Sequence, residues 1–219
     1  MDLEIIKESA KKYGVSTKVI DELISKGIKT VEDLIILSRE NLMFLLGVND
    51  ITADSILAWA WRNYSPEFVS ADKLVEKKEL IPSPLETLNM YLNGGFEKGE
   101  LIEFFGSFAS GKTNFLFTQS VIVAGMDRLV LFIDTEETFK FDRIIQIAES
   151  RNVDREKLKN IFVKKAPSSN EVEIIVHRLF QIIPELEEKT KKKVDLICID
   201  SIVNPFRADF IGISRLAER

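Results

Sequence analysis

Leu101-Ile102-Glu103-Phe104-Phe105-Gly106-Ser107-Phe108-Ala109-Ser110-Gly111-Lys112-Thr113-Asn114 is the stretch on which the reading of this chain turns. Its first five residues form an apolar run of strand length. A glycine-bounded turn follows, and a helix is expected from Lys112. Gly106, Gly111, Lys112 and Thr113 occupy every fixed position of the pattern G-x-x-x-x-G-K-[ST]. The chemistry behind that pattern is anion capture. Phosphate oxygens need several donors at once; glycines let successive backbone N–H groups turn inward, and the helix N-terminus adds its dipole. Residues 106–114 are therefore the expected cradle for ATP: Gly106, Ser107, Phe108, Ala109, Ser110, Gly111, Lys112, Thr113 and Asn114. Lys112 would reach the β- and γ-phosphates and serve catalysis, and the Thr113 hydroxyl would ligate Mg²⁺.

Working outward toward the C-terminus, apolar runs at residues 129–133, 161–164 and 196–199 read as strands. Residues 143–150 and 171–188 between them read as helices, the second bent at Pro184. Strands alternating with helices imply an α/β fold with a largely parallel sheet covered on both faces. Asp200 ends the last apolar run and is the expected partner of the magnesium shell, through a water. A second acid should orient the attacking water, because phosphoryl transfer depends mostly on positioning and charge. The run at 129–133 ends in Asp134-Thr135-Glu136-Glu137, at the sheet edge where ligands bind in such folds. Spacing alone leaves Asp134, Glu136 and Glu137 open.

Toward the N-terminus the pattern changes. Residues 1–64 read as a small all-α domain of short helices. Ser16, Thr30 and Ser38 stand at helix starts, and Gly27 and Gly47 at helix ends. Trp59 and Trp61 lie two apart, so only one can face a helical core. Residues 65–81 hold Pro66, mixed charges and little periodicity, and read as a linker to a core over residues 82–219. The chain carries 30 basic and 35 acidic residues, a net charge of -5, so any nucleic-acid contact must come from a local patch or from many subunits together. A single cysteine, Cys198, excludes an internal disulfide framework. No run approaches the ~20 apolar residues needed to cross a bilayer, and the acid-bearing start does not read as a signal peptide. A cytoplasmic location (nucleoid-associated in a prokaryote), with no membrane partner, is the expectation.

These segments, in this order, resemble the RecA/RadA family of DNA recombinases, and in detail archaeal RadA. The resemblance rests on Phe104-Phe105-Gly106 through Thr113, on Ile133-Asp134-Thr135-Glu136-Glu137-Thr138-Phe139-Lys140-Phe141-Asp142-Arg143, and on the closing segment from Phe206 to Arg219. It implies a RecA-type ATPase core, here incomplete, preceded by a helix–hairpin–helix domain. It implies Glu136 as the catalytic glutamate and Arg143 as the residue whose flat guanidinium lies on the adenine. It further implies that Phe68 and Ala71 form an F-x-x-A motif. That motif would drive head-to-tail self-association into a filament or ring, or docking on a full-length recombinase. The implied activity is ATP-dependent recombination and repair, with binding of single- and double-stranded DNA and DNA-dependent ATP hydrolysis. A shortened regulatory paralogue with little turnover is the alternative.

The departures from the family pattern are specific. Ser107 and Ala109 replace an acid and a glycine at free positions of the loop. Asn49 and Asp50 stand where the helix–hairpin–helix prefers small uncharged residues, and a negative charge beside a phosphate is unfavourable. In the first DNA-binding loop, about residues 209–215, Ile213 and Ser214 replace arginine and glycine. Arg207, Arg215 and Arg219 remain as the expected DNA contacts. The family core runs beyond the last residue of this sequence, so a fragment of a longer protein or a shortened paralogue is expected.

Overall fold

The computed structural model describes residues 1–66, 68–73 and 79–209. It divides into two compact units, Met1–Val75 with Ile175–Lys189, and Glu76–Ile174 with Thr190–Arg219. No single helix among the described residues is long and apolar enough to cross a membrane.

The N-terminal residues of the first unit form α1 (Leu3–Ile6), a 3-10 helix (Lys7–Tyr13), α2 (Thr17–Ser25), α3 (Val31–Ile35), α4 (Arg39–Leu46) and α5 (Asp50–Asn63). Each start has a local cause. Thr30 and Asp33 exchange side chain-to-backbone bonds in a capping box at α3, and Ser38 accepts from Asn41 N–H at α4. Ser16 precedes α2 without a side-chain cap bond. Gly47 takes the left-handed conformation that ends α4. One side of each helix is apolar, and Ile20, Leu23, Leu34, Leu42, Ile56 and Trp59 pack into a single buried cluster. Each such side chain contributes about 1.5–3 kcal/mol over an exposed one. Trp59 is the core tryptophan, its Nε1 donating to Ser9 Oγ at 2.8 Å. Trp61 is exposed and meets Tyr64 edge-on.

The second unit begins inside the stretch read as a linker. Leu80–Ile81 is a strand, β1, paired antiparallel with β2 (Phe96–Glu97) across α6 (Glu86–Tyr91). Gly95 makes that pairing possible, because a Cβ there would sit 2.2 Å from the Ile81 carbonyl oxygen. Further along the chain come α7 (Lys112–Gly125), β3 (Leu129–Asp134), α8 (Phe141–Ser150), a 3-10 helix (Arg155–Asn160), β4 (Ile161–Lys165), α9 (Ser169–Thr190, of which Ile175–Lys189 belongs to the first unit), β5 (Val194–Asp200) and α10 (Val203–Asp209). The sheet is parallel in the order β4-β3-β5, and every residue of central β3 is buried. That explains its unbroken apolar run. Phe117 of α7, Phe132 of β3 and Phe139 form a ring cluster with centroids 5.2–5.4 Å apart. Helix α9 continues through Pro184.

One expected strand is not there. Residues 101–105 have no strand pairing, and Leu101 and Phe105 are almost wholly exposed, Phe105 at 90%. Strand composition is not enough: a strand exists only where a neighbour takes its backbone donors and acceptors. Among the described residues no segment does so. Phe104 packs against Phe115, with ring centroids 4.4 Å apart and the rings tilted by 42°.

Candidate functional site

The parallel register brings the carboxyl ends of the strands to one edge. Asp134 is the last residue of β3 and is in register with Asp200 of β5 and Lys165 of β4. The glycine-bounded loop enters α7 nearby through Gly111, at φ 93°. Gly111 offers no side-chain cap, so the leading N–H groups of α7 have no local carboxylate or hydroxyl covering them. Lys112 folds back over its own loop, donating to the carbonyls of Gly106 and Ser107, each at 3.0 Å. Ala109 sits at φ 61°, a left-handed conformation in which glycine is more comfortable.

The three acids that spacing could not rank have different surroundings. Asp134 is fully buried and spends both oxygens on the backbone, accepting from Thr138 N–H at 3.1 Å and Phe139 N–H at 2.9 Å. Its work is to shape the loop that follows β3. Glu137 is exposed, at φ 56°, and faces Lys165 at 3.4 Å. Glu136 accepts from the Ser201 hydroxyl at 2.9 Å and so leans toward the end of β5.

Asp200 is buried, and its Oδ2 has no hydrogen-bond partner. Burial, followed by the charges of Glu136 and Asp134, raises its carboxyl above the ordinary aspartate range, against a hydrogen bond from Thr113 and the charge of Lys112. A buried carboxylate oxygen left unpaired beside other acids calls for a cation. Among the described residues, no cluster of three or more His, Cys, Asp or Glu could hold a metal by itself. Thr113 and Asp200 together fit a magnesium ion that takes its other ligands from water and nucleotide phosphates, the usual habit of that ion.

Arg143, on the first turn of α8, donates from Nε to Asn114 Oδ1 at 3.2 Å and from Nη1 to Gln146 Oε1 at 3.1 Å. It is exposed beside the start of α7 and free to present a flat face. Arg207 lies exposed on α10. Arg215 and Arg219, like Ile213 and Ser214, fall outside the described residues. Phe68 is 99% exposed and Ala71 opens a 3-10 turn.

At the hairpin between α4 and α5, two backbone donors that could face a phosphate are already engaged. Asn49 accepts from Thr52 N–H and Asp50 from Ile51 N–H, both at 2.9 Å. The residue types said this was an unfavourable phosphate site, and the geometry supplies the mechanism. Sequence reasoning missed the Ser201 bond to Glu136 and the cap that Asp209 places on the Ser169 N–H, at 2.7 Å. A serine directly after Asp200 was the only visible signal for the first; the second, between residues 40 positions apart, had none. A surface cavity of about 450 Å³ lies elsewhere, lined by Pro82, Gly125, Arg151 and Asp154 among others. It sits at the far end of α7, about 20 Å from Lys112 by helix rise, and is not the phosphate loop.

A family model described as Rad51 matches residues 80–219. The DNA repair protein RAD51 of Mycosarcoma maydis is 28% identical over 217 residues, covering 94% of this chain. The chain spans 62% of that relative's length. Its parallel sheet with a phosphate loop entering α7, and a family match over most of its length, lead to one assignment: the chain belongs to the Rad51 family.

Proposed function

We propose that this chain binds ATP–Mg²⁺ at the carboxyl edge of its sheet and uses it to drive DNA recombination and repair, assembling on single-stranded DNA. The observation that carries this reading is the orphaned Oδ2 of Asp200, buried beside Thr113 and within the field of Lys112. Lys112 leaves its loop carbonyls for the β- and γ-phosphates, and the N–H groups of residues 106–114 surround them. Thr113 and Asp200 would hold the ion, Asp200 by way of a water. When bound, Mg²⁺ neutralises charge on the phosphates. Glu136 orients the water that attacks the γ-phosphorus, and Arg143, steadied by Asn114, lies on the adenine. Arg207, with Arg215 and Arg219, meets DNA phosphates, single- or double-stranded. Phe68 and Ala71 dock on a neighbouring copy, adding an extended segment to a free sheet edge. DNA-dependent ATP hydrolysis then releases the assembly.

The direct test is ATP-dependent single-stranded DNA binding across a salt series, with Lys112→Ala as control. Loss of the lysine should weaken ATP about a hundredfold, the size of one or two charge-assisted hydrogen bonds. Unchanged ATP affinity would refute the site. Binding that requires ATP and weakens with salt supports the recombinase reading.

A regulatory protein docking on a full-length recombinase is the second reading. The unpaired, exposed run at residues 101–105 favours it, since that run needs a neighbouring strand. ATP binding without DNA binding, and docking lost in Phe68→Glu, would select it.

A further inference from the structure

We propose that Ser201 is the positioning residue for Glu136, and that Thr135 and Ser201 form a latch across the ends of β3 and β5. The inference rests on Glu136 being the water-orienting acid of an ATPase. That role demands a fixed carboxylate, because in-line attack depends on where the water is held. Nothing in the position of Glu136 fixes it alone. It is an exposed side chain with several rotatable bonds, on a loop, and like-charged with nearby Asp200.

Ser201 supplies what is missing. Its hydroxyl donates to Glu136 Oε1 at 2.9 Å, leaving Oε2 free for a water. The same oxygen accepts from Asn204 N–H at 3.3 Å, which turns the hydroxyl hydrogen toward the glutamate. The serine backbone is clamped in turn. Thr135 Oγ1 accepts from Ser201 N–H at 2.7 Å and donates to the Ser201 carbonyl at 2.8 Å, while Thr135 N–H donates to the Asp200 carbonyl at 2.9 Å. Thr135 is itself buried, so this frame is rigid. The latch therefore ties the acid from the β3 loop to the strand that carries the metal-binding aspartate.

The test combines a thermal double-mutant cycle without nucleotide and steady-state ATP hydrolysis with DNA. In the cycle, the Tm changes of Ser201→Ala and Glu136→Ala should be non-additive, the loss caused by Ser201→Ala disappearing where residue 136 is already alanine and has no carboxylate to hold. In hydrolysis, Ser201→Ala should lower kcat about tenfold with the KM for ATP unchanged, the pattern of an interaction made only on the way to the transition state. Ser201→Thr, which keeps the hydroxyl, should restore most of kcat. Additive Tm changes, an unchanged kcat in Ser201→Ala, or failure of Ser201→Thr to rescue a well-folded protein would each overturn the proposal. The underlying reading is tested separately. Wild-type turnover abolished by Glu136→Gln upholds it; turnover untouched by Glu136→Gln, or no turnover at all, overturns it and the latch's catalytic role with it.

Discussion

Strand β5 carries an aspartate near each end, and the two have opposite surroundings. At the amino end, the Asp195 side chain is 6% exposed; its Oδ2, like that of Asp200, makes no hydrogen bond of good geometry, but it is ion-paired with Lys98 at 2.7 Å and Arg128 at 3.5 Å. Glu79 joins the same cluster through Lys98, also at 2.7 Å, so the β1–β2 pair is stitched to the bottom of the sheet. At the carboxyl end, Asp200 has an unpaired oxygen and two acids for company. The backbone and the residue type are the same. One end is neutralised by protein and holds the unit together; the other is left in electrostatic debt that only a cation can settle. Sites that bind ions are built this way, at a cost in stability that structural ion pairs do not carry.

The sharpest way to break this contrast is to remove the paired acid. Asp195→Ala leaves Lys98 and Arg128 without their partner, and should cost about 2 kcal/mol, or roughly 4–8 °C in Tm. That is below the loss for a fully buried pair because the two cations remain 24% and 35% exposed. ATP affinity should not change; a nucleotide-binding defect in a folded Asp195→Ala protein would erase the distinction between the two ends.

Asp200→Asn should do the reverse. With its carboxyl raised by burial and by Glu136 and Asp134, Asp200 favours folding only while protonated. That contribution is present below its unfolded value of about 3.9 and is lost as pH rises through the higher folded value. At neutral pH without ligand, the asparagine variant should therefore melt a few degrees above wild type, and the gap should close on acidification. With ATP and Mg²⁺ the order should invert. Calorimetry in both conditions reads the effect directly, and a variant less stable than wild type without ligand would count against the electrostatic account.

A smaller effect sharpens the structural side. Asp127 follows α7, where Lys157 and Lys192 approach to 2.8 and 2.7 Å. The Lys157 hydrogen bond first, then that of Lys192, holds its carboxyl far below the ordinary range. The sign is opposite to that of Asp200. Its stabilisation is present above about pH 3.9 and fades as pH falls through the depressed value. Asp127→Asn should lower Tm slightly at pH 7, less so at high salt because the group is exposed, and not at all in strong acid.

The smallest expected change is at the loop. Ala109→Gly should relieve the left-handed alanine at φ 61°, offset by the greater freedom of glycine when unfolded. A net gain of a few tenths of a kcal/mol or less, with ATP affinity kept, is the outcome; a large loss of affinity would mean the alanine methyl is part of the cradle.

Much of the core was legible because its signals are local. The strands near 129–133, 161–164 and 196–199 announced themselves by apolar runs, and each extends by only one or two residues at its ends. The helix after Lys112 and the buried Asp200 likewise follow from pattern. The run at 101–105 misled because strand propensity describes a residue's fit to a pleated surface, not the presence of a partner. Thr30 was legible as a helix start, and Asp33 completes its capping box although it is shorter than the usual glutamate, since it still reaches the Thr30 N–H.

What the sequence determined by itself was the alternation of strand and helix, the phosphate loop, the helical N-terminal region and the family motifs. All are encoded in residues close together along the chain. What only the tertiary structure decided was the state of each carboxylate. Asp134, Glu136, Glu137, Asp195 and Asp200 are equivalent as letters. Asp134 is spent on its near neighbours Thr138 and Phe139, but which acid is paired with cations, which is latched to Ser201 and which is left orphaned depends on groups brought from tens of residues away, because charge and hydrogen bonding act through space.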